Sequence, residues 1–110
     1  NMSWDLAIHG FTGRNPQMFA AVKAGVLGFS KSLARTCAPE VRVNILAPGW
    51  IQTAFADDIM EKEYYQARIK EIPMQRFGLA EDVANAAVYL ASDEATYLSG
   101  EVINVNGGLV

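Results

Sequence analysis

Among the residues of this chain able to do chemistry, Lys23 stands in the least expected surroundings. It follows Phe19 by four positions in "PQMFAAVKAG" (16–25), where most neighbours are apolar or small. Residues four apart share a helix face, so an ammonium and a ring lie side by side. Phenylalanine has no proton to transfer, so the pair holds a charge and lacks an acid. The plain alternative is a lysine whose stem packs while its head stays wet.

A second group is "APGWIQTAF" (47–55), directly after a short apolar run. A turn just beyond the carboxyl end of a parallel strand lies where open α/β sheets bind ligands. Its backbone can hydrogen-bond a carboxamide, and the Thr53 hydroxyl can reach a carboxamide or phosphate. Trp50 either stacks on a ligand or covers the end of the sheet. Read from these residues alone, a strand-ending turn would suffice.

The other candidates read more simply. His9, the single histidine, lies in a loop ten residues from Phe19 and reads as solvent-exposed. Tyr64 and Tyr65 fall in a charged helical run where packing accounts for Tyr64. Asp57, Asp58, Glu61 and Glu63 have no histidine or cysteine ligand beside them, so they read as a solvated face and no metal site is expected. Cys37 is the only cysteine, lies in a helical run and reads as a small buried hydrophobe.

The elements that must position these residues follow from periodicity. Phe19, Val22, Val26, Phe29, Leu33 and Cys37 recur at three- and four-residue steps, which predicts a helix over 17–38 ended by Pro39. Its small residues Ala21, Gly25 and Gly28 suit close approach of another helix or strand. "VRVNILA" (41–47) predicts a buried strand before Pro48-Gly49. Residues 56–71 predict one surface helix with a thin apolar face of Ile59, Met60, Tyr64 and Ala67. Residues 79–93 predict a helix with Val83, Ala86, Ala87 and Leu90 inward and acids in its first turn. A last strand covers 101–108, a strand end is placed at 1–4, and 5–16 and 72–78 are loops. Helices alternating with short apolar strands predict an α/β fold with a parallel sheet.

Composition narrows the function classes. A net charge of −3 without a basic block argues against nucleic acid or an anionic membrane as partner. No apolar run is long enough to span a bilayer. One cysteine, unable to pair internally, suits a reducing, cytoplasmic setting.

Taken in order, "FAAVKAGVLGFSKSLA", "VRVNILAPGWIQT" and "RFGLAEDVANAAVYLASDEATYLSGEVINVNGG" resemble the C-terminal half of the short-chain dehydrogenase/reductase family, nearest to bacterial 3-oxoacyl-acyl-carrier-protein reductases. The resemblance covers nearly the whole chain. It implies the C-terminal part of a Rossmann-like, doubly wound parallel sheet, about three strands and three helices over 1–110, with the N-terminal dinucleotide-phosphate-binding half outside it. The start at "NMSW" accordingly reads as the remainder of a longer chain. "GFTGRN" lacks the G-x-G-x-x-G pattern and reads as a plain loop.

The resemblance also implies roles. In the family a tyrosine protonates the substrate carbonyl oxygen as hydride arrives, and a lysine one turn later lowers the phenol's pKa and holds the nicotinamide ribose. Those positions are Phe19 and Lys23 here. The family serine falls on Trp4, or on Ser3 after a one-residue shift, and the family asparagine belongs to the other half. Pro48, Gly49, Ile51 and Thr53 would line the nicotinamide of NAD or NADP, and Lys23 would hold its ribose. Asn106 stands where many members carry Asp. The implied activity is NAD(P)H-dependent reduction of a small carbonyl compound, or oxidation of an alcohol, impaired by Phe19. The alternative is a non-catalytic subunit serving binding or assembly. A homo-oligomer through the 17–38 helix and the 79–108 helix-strand is the implied assembly.

Overall fold

The computed structural model describes residues 1–110. Two apolar runs meet first as strands: β1 (Ile45–Pro48) pairs in parallel with β2 (Val102–Val105), Ile45 opposite Val102 and Pro48 opposite Val105. On the other side of β1 a single parallel bridge joins Met2 to Leu46, with Ser3 N–H donating to Leu46 O (2.8 Å) and Leu46 N–H to Asn1 O (2.9 Å). The segment at 1–4 is thus one bridge long, and both strands are shorter than their apolar runs. Residues 5–7, expected in a loop, form a 3-10 turn in which Asp5, Leu6 and Ala7 are buried.

Four α-helices accompany the sheet, and α4 packs on both strands. α1 (Pro16–Cys37) starts with proline at its first turn, where a missing N–H costs nothing, and stops at Ala38 before Pro39. Only part of the stripe that announced it turns inward: Val26, Leu33 and Cys37 are half-buried. Ser30 and Ala34 are buried and Lys23 and Leu27 half-buried, whereas Phe19, Val22 and Phe29 are 50%, 60% and 63% exposed. At Ser30 and Ala34 this inner face is small, and there it meets the chain's first segment and Gly100. Ser30 is wholly enclosed; its Oγ donates to Val26 O (2.7 Å) and accepts from Asn1 Nδ2 (2.7 Å). Gly25 and Gly28 point outward, and a Cβ on either would meet nothing within 4 Å.

The single helix expected over 56–71 is two, α2 (Ala54–Asp58) and α3 (Lys62–Glu71). Asp57 and Asp58 place negative charge on the carboxyl end of α2, where the helix dipole opposes it. The Ile59 and Met60 N–H groups both turn back to Phe55 O, and the chain restarts at Glu61. The packed face also differs. Met60, Tyr65 and Ile69 cover the buried cluster Ala56, Ile72 and Phe77, while Ile59 and Tyr64 are largely outside it.

α4 (Ala80–Ala91) buries Leu90 and half-buries Val83 and Ala86; Ala87, expected inside, is exposed. Asp82 in its first turn accepts from Leu79 N–H (2.7 Å) and pairs with Arg76 (2.8 Å). Only 14 of 110 residues are buried; β1 is covered on both faces, while β2 and Met2 retain surface that a larger α/β sheet would cover.

Candidate functional site

The sheet's carboxyl ends carry the site, because three segments leave it there: Ser3–Trp4, the turn after β1 and the Asn106–Gly108 turn after β2. Phe19 and Lys23, in the first two turns of α1, stand over the first of these. Lys23 Nζ lies 5.6 Å from the centroid of the Phe19 ring, so the amine and the ring share one side of the helix. The Trp4 ring meets Phe19 edge-on at 5.0 Å between centroids. Ser3 is buried, and its Oγ donates to the backbone carbonyl of Lys23 (2.8 Å). Of the two residues left open for the serine position, then, Ser3 has its hydroxyl committed to helix backbone and Trp4 faces Phe19.

The contact at Phe19 begins a row of rings. Trp4 meets Phe11 at 6.0 Å, Phe11 meets Trp50 at 5.9 Å, and Trp50 meets Tyr64 at 6.1 Å and Phe77 at 5.7 Å. Tyr64 is therefore separated from Phe19 by three intervening rings and supplies no substitute phenol there. The hydroxyl of Tyr65 donates to Gln52 Oε1 (2.9 Å), and Gln52 Nε2 donates to Asp57, so that phenol holds the turn to α3. His9 is exposed.

The turn itself is built by close backbone approach. A Cβ on Gly49 would lie 2.7 Å from Asn106 Cβ and 2.9 Å from an Asp5 carboxylate oxygen, so only glycine fits. Beyond it, Ile51 bridges Gly78 in parallel, Gln52 N–H donating to Gly78 O (2.7 Å) and Gly78 N–H to Trp50 O (2.9 Å). No backbone hydrogen bond uses the N–H or carbonyl of Ile51, and the exposed Thr53 makes no side-chain cap to α2. Pro48, Gly49, Ile51 and Thr53 thus lie in one turn that leaves the Ile51 N–H and carbonyl without a backbone partner. No cluster of histidine, cysteine and acidic side chains is arranged to hold a metal.

One buried pair went unread in the sequence. Asp5, 5% exposed, accepts from Leu6 N–H (2.9 Å) and from Asn106 Nδ2 (3.1 Å), joining the first segment to the end of β2 beneath Gly49. Burial pushes the Asp5 carboxyl above its ordinary value, against the opposing pull of those hydrogen bonds. The available signal was a lone acid held between Trp4 and Leu6-Ala7, directly after a strand. At Asp82 the balance is reversed: the Arg76 guanidinium and the Leu79 N–H hold its carboxyl below the usual range.

Residues 1–110 match the sequence model of a family described as Enoyl-(Acyl carrier protein) reductase. A crystal structure titled short-chain dehydrogenase/reductase SDR, glucose/ribitol dehydrogenase, from Brucella melitensis superposes with a TM-score of 0.89 at 28% identity, covering 99% of this chain and 43% of that one. The chain belongs to the short-chain dehydrogenase/reductase family. Family relatives include the 3-oxoacyl-acyl-carrier-protein reductase FabG of Aquifex aeolicus, 45% identical over 105 residues, and that of Thermotoga maritima, 42% identical over 111. Nodulation protein G of Rhizobium sp. (strain N33) is 45% identical over 105 residues. The match to the Aquifex protein covers 94% of this chain and 42% of the relative's length; with the Thermotoga protein the shares are 100% and 44%. No helix is long and apolar enough to cross a membrane.

Proposed function

We propose that this chain is the C-terminal part of an NAD(P)H-binding protein of the carbonyl-reductase type whose ordinary proton donor is gone. The observation that carries the reading is the Phe19–Lys23 pair, with the amine 5.6 Å from the ring and Trp4 pressed against it. A cofactor bound here would supply hydride. The chain's own part is to hold its nicotinamide end: the Ile51 backbone and the Thr53 hydroxyl toward the carboxamide, the Lys23 ammonium toward the ribose. Phe19 offers no proton to the developing alkoxide, and Trp4 fills space where a polar side chain would orient a carbonyl.

A second reading, a non-catalytic subunit for binding or assembly, is favoured by the same Trp4–Phe19 contact and by the outer face of α1. Val22 and Phe29 are exposed there beside the open Gly25 and Gly28, a surface suited to a second copy. The region 79–108 would form the other contact.

Both readings separate binding from turnover, and that separation is testable. The chain is joined to the N-terminal half of the Aquifex FabG, and NADH and NADPH are titrated by fluorescence. Saturable binding is expected. Lys23→Met should weaken it about 10–100-fold, the size of a lost hydrogen bond to a charged group. Binding indifferent to Lys23→Met would remove the ammonium from the cofactor site.

A further inference from the structure

The three segments that leave the carboxyl ends of the sheet meet at one side-chain contact, Asp5 with Asn106. Asp5 Oδ1 accepts from Leu6 N–H (2.9 Å), and Asp5 Oδ2 accepts from Asn106 Nδ2 (3.1 Å). Asn106 Oδ1 accepts in turn from Gly108 N–H (3.1 Å). The same Asp5 Oδ2 presses on Gly49: a Cβ there would meet it at 2.9 Å and Asn106 Cβ at 2.7 Å. Asp5 takes part in no salt bridge, so the amide is its one side-chain partner. Ser3, Asp5, Leu6 and Ala7 are buried by residues 1–110 alone. Further chain can only cover them more, so the contact does not depend on what else surrounds it.

Asp5 also ends a short spacer. Two residues earlier, Ser3 Oγ donates to Lys23 O (2.8 Å), and one residue earlier the Trp4 ring meets Phe19 at 5.0 Å. Three consecutive side chains thus reach from the head of α1 to the turn after β1. The bond at the end of this spacer has a fixed polarity. With Oδ1 of both residues committed to backbone N–H groups, a carboxylate oxygen on one must face an amide N–H on the other. Two carboxylates would set acceptor against acceptor, and two amides donor against donor, where burial makes an unmade hydrogen bond costly.

We propose that Asp5 and Asn106 are positioning residues whose carboxyl–amide bond sets the separation between Lys23 and the Ile51–Thr53 groups, the two sides of the cofactor site. The proposal rests on the NAD(P)H-binding reading for what is positioned. The bracing of the turn itself holds with or without a cofactor, so the two can fail separately.

The polarity of the bond supplies the test. Asp5→Asn, Asn106→Asp and the double swap are made in the fusion with the Aquifex half. Each single change breaks the bond; the swap keeps it, with donor and acceptor exchanged. Amide hydrogen exchange without cofactor is followed in the turn (47–53) and in α4 (80–91), and NADPH affinity is read by fluorescence. Each single variant should speed exchange in the turn more than in α4. Each should also weaken NADPH about 5–100-fold, the size of an unmade buried hydrogen bond. The swap should return both readings to within about threefold of the parent. Asp5→Ser, uncharged and too short to reach Asn106, should weaken NADPH in the same way and serves if a single variant does not fold. A parent fusion that binds no NADPH would sink the cofactor reading, and the exchange data would then decide the brace. A swap no better than the single variants, equal acceleration in the turn and α4, or single variants that bind NADPH as the parent does would each overturn the proposal.

Discussion

The head of α1 and the turn after β1 both border the carboxyl ends of the sheet, and they differ in what they present. On the proposed reading the head of α1 keeps a geometry without a phenol: Phe19 and Lys23 share a face, and Trp4 closes over the ring. The turn offers mostly backbone groups, and its shape is set by Gly49 wedged against Asn106 and Asp5. A side-chain function disappears with one hydroxyl. A backbone function persists as long as the packing that shapes it persists.

The sharpest way to break that contrast is to place a hydroxyl on the ring beside Lys23. In the fusion with the Aquifex half, Phe19→Tyr combined with Trp4→Ser should raise carbonyl-dependent NAD(P)H oxidation by about 10²–10⁴-fold, the usual worth of a positioned general acid. A parent fusion as fast as the variant would show that the proton comes from elsewhere and that α1's head has lost nothing.

A smaller effect tests whether backbone packing differs between the regions, using one substitution at two glycines. Gly49→Ala must displace Asn106, and overpacking of this kind costs about 1–3 kcal/mol. Gly25→Ala meets open space on a helix and should stabilise the chain by up to about 1 kcal/mol. Urea unfolding of both variants reads the two signs. If α1 packs closely on a second copy, Gly25→Ala should also weaken self-association, which sedimentation measures.

The smallest effect concerns the carboxyl beneath the turn. The folded-state pKa of Asp5 is raised by burial, so between its ordinary and raised values the folded chain holds more protons than the unfolded one. Its contribution is present below the ordinary value and is lost as pH rises through the raised one. Unfolding midpoints across that window should therefore fall with pH, relative to Asp5→Asn. A flat difference between the two would place Asp5 in an environment no different from water.

Much of this was legible early because it rests on local rules. The period of α1, the stop before Pro39, the strand before Pro48-Gly49 and the acids opening α4 all follow from backbone geometry and helix ends. The Phe19–Lys23 pair was legible for the same reason, since four-residue spacing is itself a statement about position. Orientation was less so. Phe19, Val22 and Phe29 announced the helix, yet Ser30 and Ala34 are the residues it buries, because periodicity cannot say which of two usable faces meets the sheet. The break at Ile59 was hidden by a composition that suits one helix as well as two.

By itself the sequence determined α1, α4, the two strands and their order, the spacing of ring and amine, and the family to which they belong, all consequences of contacts within a few residues or of motif order. Only the tertiary structure decided that Trp4 rather than Ser3 faces Phe19, that Asp5 and Asn106 meet across 101 residues of chain, and that Arg68 closes a ring with Phe11 and Tyr64. Each depends on which way a side chain points once distant segments pack, and that direction is set by the packing partner rather than by neighbours in the chain.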